Sequence, residues 1–134
     1  MRSAGIPARP VYVPRWSHCD DNHAWVEVFV DGEWHFLGAC EPEEVLDTGW
    51  FSGPANRAIL IHTRNFSDYV KESNEEYLGK EGALYYFNHT DFYGRTKLVK
   101  ILVKDENGKP AAGAHIAVEI LNMAEFFPAA VMIA

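Results

Sequence analysis

The chain has 134 residues, of which 48% are hydrophobic and 13% aromatic, and this composition excludes an intrinsically disordered protein. A formal net charge of -7, without a cluster of lysine and arginine, argues against nucleic acid as the main partner. The sequence also has no apolar run of about 18 residues, the length that a membrane-spanning helix needs.

The first 22 residues predict a turn, a strand and a loop. Ser3-Ala4-Gly5-Ile6-Pro7 is typical of the last turn of a helix that a glycine ends, with a proline just beyond it. The helix itself is expected upstream of residue 1. Residues 8–14 form a strand candidate, and the polar residues 15–22 predict a loop that delivers His23.

A β-hairpin is predicted next, because residues 23–30 and 33–38 flank Asp31-Gly32, a strong signal for a two-residue turn. Counting outward from this turn places Val30 opposite Glu33 and fixes the register of the two strands. The register predicts that four residues share one face of the sheet, with His23 opposite Cys40 and Trp25 opposite Gly38.

The remaining chain predicts a second, separate hairpin. Residues 40–57 form a connecting excursion, and the apolar residues 58–63 predict a strand. Residues 66–94 have no sustained period and predict short strands in an interdomain segment. Residues 96–104 and 114–120 alternate on either side of Asn107-Gly108. Because two strands alone are marginal in water, the hairpin needs further strands, and we expect the sequence to be truncated at both ends.

Two motifs resemble the transglutaminase-like superfamily: Arg2-Ser3-Ala4-Gly5-Ile6-Pro7-Ala8-Arg9, and Asn22-His23-Ala24-Trp25-Val26-Glu27-Val28 followed by Asp31-Gly32-Glu33-Trp34. In that family a cysteine nucleophile begins a helix that ends at the Gly-Ile-Pro turn, and a histidine and an acid follow on adjacent strands. The resemblance implies an α+β, papain-like antiparallel sheet. Residues 1–93 would be the C-terminal part of that domain, with the nucleophile upstream.

The resemblance assigns His23 as the general base and acid. A cysteine at a helix N-terminus beside an imidazolium has a lowered pKa, so the imidazole of His23 would activate the thiol. The family usually carries Asp-Pro close to the position of Gly38, whereas here Ala39-Cys40-Glu41-Pro42 follows. An insertion or bulge would bring Glu41 into the role of the acid that orients the imidazole. Asp21 and Asn22 are rival candidates for that role, and turn residues are the alternative interpretation of both.

Cys40 facing His23 would have the ingredients of a nucleophile–base pair, but a strand cysteine lacks activation by a helix dipole. We expect Cys40 to be a small buried residue that shapes the site, and Cys19 has no better claim. Trp16 and Trp50 are candidates for a pocket wall, together with Trp25 and Gly38, although strand aromatics are more often core. The cysteines and histidines lack metal-ligand spacing, so no metal site is predicted. The thiol chemistry that the resemblance implies requires no cofactor.

Residues from 97 onward resemble the first strands of carboxypeptidase-regulatory-like or Ig-like modules, so we expect residues 94–134 to begin a β-sandwich.

The resulting hypothesis is a fragment of a thiol enzyme that attacks peptide or glutamine amides through a thioester, as a peptidase or amidase rather than a cross-linking enzyme. The fragment alone would be inactive. The alternative is a catalytically inactive transglutaminase-like module that binds proteins or glycans. The resemblance also implies a peptide or protein substrate and an extracellular or periplasmic location, and leaves the oligomeric state open.

Overall fold

The computed structural model describes residues 1–66, 75–122 and 125–133. These residues form mostly antiparallel sheet with few helices, which confirms a sheet-rich fold. The first six strands are β1 (Ala8–Val13), β2 (His23–Val30), β3 (Glu33–Gly38), β4 (His62–Phe66), β5 (Glu76–Glu81) and β6 (Leu84–Asn88). They form one sheet in the order β3-β2-β1-β4-β6-β5. Two further strands, β7 (His115–Asn122) and β8 (Glu125–Ile133), pair with each other.

The helical residues are confined to short segments. A 3-10 turn covers Arg2–Ala4, α1 covers Ser52–Ala55 and α2 covers Thr90–Tyr93. Gly5 follows the 3-10 turn in the left-handed conformation, with φ 76°, and its N–H donates to the carbonyl of Arg2. This geometry confirms the predicted glycine-ended turn before β1. In the described part of the chain, no helix is long and apolar enough to cross a membrane.

The first hairpin has the predicted strands and register. Val30 lies opposite Glu33 and Trp25 opposite Gly38. Asp31 and Gly32 both have positive φ, 53° and 88°, as the favoured two-residue hairpin turn requires. The hydrogen-bonded ladder ends at the pair of Trp25 and Gly38.

The expected pairing of His23 with Cys40 is wrong, because the chain turns back on itself directly after Gly38. The carbonyl of Glu41 lies where a β-carbon of residue 38 would be, so residues 39 and 40 leave the sheet and Cys40 is exposed rather than buried. His23 pairs with Val13 of β1 on the other side of β2.

The middle of the chain differs from prediction in two places. The strand predicted at residues 58–63 lies at His62–Phe66, because β1 pairs with β4 through His62 and Thr63. Residues 76–88 are not an interdomain connection, since β5 and β6 extend the main sheet. The bounds of β4 were misplaced because this strand buries polar side chains, including Thr63 and Asn65, where an apolar alternation would be expected.

The predicted second hairpin pairs the wrong strands. Its Asn-Gly turn is present, since the Asp105 carboxylate accepts from the backbone N–H groups of Asn107 and Lys109. However, residues 96–103 form no strand, and only an isolated bridge joins Lys104 to Pro110. The strand predicted at residues 114–120 is present as β7, and its partner is β8. The division at residue 93 and the β-sandwich module stay predictions.

A hydrophobic core lies beside the start of β2. Its buried members come from β1, β2, α1 and the loops around them: Val11, Val13, Trp16, Trp25, Phe51, Ala55 and Ile61. Fully burying an apolar side chain of this size stabilises a fold by roughly 1.5–3 kcal/mol. The core therefore fixes the backbone on both sides of His23.

Candidate functional site

His23 lies at the start of β2 and is surrounded by aromatic rings. The four neighbouring rings, with their centroid distances to the imidazole, are Trp50 at 4.6 Å, Phe51 at 5.1 Å, Trp25 at 5.9 Å and Trp16 at 6.2 Å. These rings and His23 are called the His23 cluster below. The imidazole is 19% exposed, so it is reachable from solvent at one edge only.

Glu41 approaches the His23 cluster from the loop after β3. Its Oε1 atom lies 3.8 Å from His23 Nε2 and accepts a hydrogen bond of 3.3 Å from the indole N–H of Trp50. At 3.8 Å the carboxylate acts on the imidazole through its charge and not through a hydrogen bond. His23 Nε2 is itself buried and makes no hydrogen bond. The structure thus brings together the predicted histidine and the predicted acid, while the catalytic roles of both stay predictions.

Burial lowers the pKa of His23 below its usual 6.5, against the opposing charges of Glu41 and Asp21. A lowered pKa keeps more of the imidazole neutral at pH 7, which is the form that accepts a proton. Asp21 also serves its own turn, since its Oδ1 atom accepts from the backbone N–H of Asn22 at 2.8 Å. The alternative interpretation, in which Asp21 and Asn22 are turn residues, is compatible with that hydrogen bond.

The remaining predicted pocket residues have different surroundings. Trp16 and Trp25 are buried members of the core, whereas Trp50 is 57% exposed and covers His23 from the solvent side. Cys40 is exposed, and Cys19 packs against the core. Among the residues that the structure describes, no group of His, Cys, Asp or Glu side chains could hold a metal ion.

Gly38 is required by the close approach of Glu41. A β-carbon at this position would lie 2.5 Å from the Glu41 carbonyl oxygen. We therefore expect Gly38→Ala to lower the free energy of unfolding by about 1–3 kcal/mol, the usual cost of forcing atoms into a packed site. Urea unfolding followed by tryptophan fluorescence measures this loss.

Gly53→Ala is the matched control, because a β-carbon on Gly53 in α1 would meet nothing within 4 Å. It should leave the stability unchanged or raise it slightly, since alanine is favoured over glycine in a helix. Equal stabilities of the two variants would contradict the close approach of Glu41 to Gly38.

A buried polar network that the sequence analysis missed adjoins the His23 cluster. The Trp25 indole N–H donates to the Tyr93 hydroxyl at 2.7 Å, and this hydroxyl donates to Glu27 at 2.5 Å. Arg9 donates to Glu27 at 2.7 Å and to Glu75 at 3.1 Å, and His89 Nε2 lies 3.1 Å from Glu27. Arg9 and Glu27 are buried, and they lie opposite each other in the ladder of β1 and β2. Opposite charges on two paired strands would have been the sequence signal, once their register was known.

The network keeps Glu27 ionised inside the protein. Burial alone would raise the pKa of Glu27, but the hydrogen bond and charge of His89, the charge of Arg9 and the Tyr93 hydroxyl hold it below its usual value. Burial and the neighbouring carboxylate of Glu27 raise the pKa of Tyr93, so its hydroxyl stays protonated and donates. The network thereby fixes the Trp25 ring, which forms one side of the His23 cluster.

Comparison with known proteins connects part of this region to a family. Residues 1–39 match the model of the core of the transglutaminase-like superfamily. No curated protein and no solved structure matches the chain. The matched segment contains the Gly-Ile-Pro turn, the first three strands and His23, and it ends two residues before Glu41. The match supports the superfamily for this segment, and with it a family of proteins resembling thiol enzymes.

Proposed function

We propose that the chain supplies the histidine-bearing part of a transglutaminase-like thiol enzyme that acts on peptide or glutamine amides. The observation that carries this proposal is the environment of His23, at the motif position of the family histidine. Its imidazole is held by four aromatic rings, and the carboxylate of Glu41 approaches Nε2. A positioned imidazole with an adjacent carboxylate is the arrangement that activates a thiol nucleophile.

In this proposal the two nitrogens of His23 have different tasks. Because Glu41 approaches Nε2, Nδ1 is the nitrogen that exchanges a proton with the thiol. The thiol loses its proton to Nδ1, and the thiolate attacks the amide carbonyl carbon. The C–N bond then breaks, and the imidazolium returns the proton to the leaving amine, which leaves a thioester. Water, or an acceptor amine, next loses a proton to His23 and releases the acyl group from sulfur.

The proposed nucleophile is a cysteine that precedes residue 1 in the parent protein, as the family arrangement implies. Residues 1–93 are then the later part of the catalytic domain, and residues 94–134 begin an additional β-module. Hydrolysis is proposed ahead of cross-linking. The isolated chain is expected to show no thiol-dependent turnover, because Cys40 is exposed beyond the end of β3 and does not pair with His23.

The test is the alkylation rate of cysteines in protein expressed from the gene together with its upstream coding sequence. Iodoacetamide should label one upstream cysteine selectively, and His23→Ala should slow this labelling at least about tenfold, because the thiolate loses its imidazolium partner. His115→Ala is the control, since His115 is exposed on β7. An upstream sequence without a cysteine, or equal labelling of the wild type and His23→Ala, overturns the proposal.

One observation favours a second candidate function. Trp50 offers a largely exposed indole at the edge of the His23 cluster, and exposed aromatic rings are frequent in binding surfaces for proteins and glycans. Equal labelling would therefore favour the catalytically inactive binding module. In that case Trp50→Ala should abolish binding of the partner, whereas His23→Ala should weaken it only slightly.

A further inference from the structure

Residues 39–50, called the site loop below, bring Glu41 and Trp50 to His23. The loop leaves the sheet after Gly38 and leads to the buried Phe51. Apart from Trp50, its apolar side chains contribute little to its packing, since Val45 is 67% exposed and Leu46 is also exposed. Between Glu41 and Trp50 the site loop is therefore held mainly by polar contacts.

Asp47 makes three hydrogen bonds from the site loop to β3. Its backbone N–H donates to the Phe36 carbonyl at 2.9 Å, and its Oδ1 atom accepts from the Phe36 N–H at 2.9 Å. Its Oδ2 atom accepts from Nδ1 of His35 at 2.7 Å. The strand β3 is at the edge of the described sheet, so one residue of the loop satisfies backbone groups that an edge strand otherwise leaves open.

The backbone of Asp47 has a conformation that few residue types adopt readily. Its φ is 61°, in the left-handed region that non-glycine residues adopt at a cost of roughly 1–2 kcal/mol. Aspartate is among the residues that tolerate this region best. Glu43 and Glu44, in the same loop, make no hydrogen bond or ion pair within the described residues. Asp47 is thus the residue that attaches the later half of the site loop to the sheet.

We propose that Asp47 is a positioning residue, which holds the site loop on β3 so that Glu41 and Trp50 stay against His23. The functional meaning of this inference rests on the proposed role of His23. The attachment itself does not, and it can be tested on the 134-residue chain without any catalytic assay. Gly38 fixes the start of the loop through its contact with Glu41, and Asp47 fixes the part of the loop just before Trp50.

The structure provides two histidine reporters for this attachment. The hydrogen bond to Asp47 is the main reason that the pKa of His35 lies above its usual value, with smaller contributions from Glu33 and Asp31. Burial is the main reason that the pKa of His23 lies below its usual value, and the Trp50 ring is its nearest aromatic cover. Release of the loop should therefore lower the pKa of His35, and it should also change the pKa of His23, because both the cover of Trp50 and the charge of Glu41 are removed.

The experiment is an NMR titration of the histidine ring protons in Asp47→Gly, Asp47→Asn and Glu44→Ala. Asp47→Gly removes the carboxylate while permitting positive φ, so it should shift both pKa values and abolish the nuclear Overhauser contacts between His23 and Trp50. Asp47→Asn keeps an amide oxygen for the Phe36 N–H and tolerates the same backbone conformation, so it should retain those contacts. Glu44→Ala removes a charge from the same loop. It should retain the contacts between His23 and Trp50 and leave the pKa of His35 above that of His23.

In Asp47→Gly, a lowered pKa of His35 with an unchanged pKa of His23 and intact contacts to Trp50 would overturn the inference, because the attachment would then not position the site. Amide shifts of β2 and β3 verify that each variant is folded. The thiol-labelling experiment separates the two proposals. Loss of loop contacts without any activated thiol would sink the catalytic function and leave Asp47 as the anchor of the loop, whereas His23-dependent labelling that Asp47→Gly does not change would sink the positioning role.

Discussion

Glu27→Ala is expected to lower the free energy of unfolding by about 3–5 kcal/mol, the usual cost of removing one partner of a buried ion pair. Glu27 is fully buried and contacts Arg9, His89 and Tyr93. Its removal leaves the buried Arg9 guanidinium with Glu75 as its remaining carboxylate partner and leaves the Tyr93 hydroxyl without its acceptor. Few single substitutions elsewhere in the described chain should be as destabilising.

Urea unfolding monitored by tryptophan fluorescence gives the free energies of the wild type and Glu27→Ala. Glu43→Ala is the control for loss of an exposed carboxylate and should change the stability by less than about 0.5 kcal/mol. A loss below about 1 kcal/mol in Glu27→Ala would contradict the network.

The difference in the free energy of unfolding between the wild type and Glu27→Ala has a defined pH dependence. The folded state holds the pKa of Glu27 below its usual 4.5, so its carboxylate contributes stability that is fully present above about pH 4.5. This contribution is lost as the pH falls through the lower folded-state value. The difference between the wild type and Glu27→Ala should therefore narrow below pH 4.5, and a constant difference down to pH 3 would show that the charge of Glu27 is not what stabilises the fold.

His23→Ala is expected to lower kcat/KM of the thiol-containing parent protein by about 10²–10⁴, the range that a positioned general acid–base contributes. In the proposed mechanism the imidazole both accepts the proton of the thiol and returns it to the leaving amine, so its loss would affect both steps of the reaction. Glu41→Gln should cost less, because the Glu41 carboxylate is 50% exposed and lies 3.8 Å from the imidazole. Release of amine from an acyl amide substrate measures the rates.

Two further measurements make the interpretation of His23→Ala specific. The pH profile of kcat/KM should lose the limb that the titration of His23 produces, a change that a merely structural defect would not cause. Added imidazole should restore part of the rate in His23→Ala and none in an alanine variant of the nucleophile. Retention of more than about one third of the wild-type rate in His23→Ala would refute the proposed acid–base role.

Local sequence signals predicted the part of the fold that carries the histidine. The Gly-Ile-Pro turn, β1 and the hairpin around Asp31-Gly32 were predicted correctly, because each depends on neighbouring residues and on turn chemistry. The meeting of His23 with Glu41 was anticipated through an insertion after Gly38. In the structure this insertion is a sharp reversal of the chain, which a glycine permits.

Most of the errors involve contacts between distant parts of the chain. The alternation of apolar residues in residues 96–104 predicted a strand that does not form. The partner of β7 is β8, and the sequence pattern did not reveal this pairing. Cys40 left the predicted face because the chain reverses directly after Gly38, where the carbonyl of Glu41 approaches the glycine. The network around Glu27 joins Arg9 to Glu75 and Tyr93, and no pattern within any one segment encodes that set.

The order of the strands has a consequence for the order in which contacts form during folding. The strands β3-β2-β1 and the strands β4-β6-β5 meet in the described sheet through two residue pairs, Val11 with Thr63 and Tyr12 with His62. Each half contains a hairpin between neighbouring strands, and such local pairings form early, whereas joining the halves requires closure of a long loop. The bonds of Glu27 with Tyr93 and of Arg9 with Glu75 cross this junction and should form after the rate-limiting step. We therefore expect Glu27→Ala to accelerate unfolding far more than it slows folding, and a chevron plot in which the folding limb carries the change would contradict this order of events.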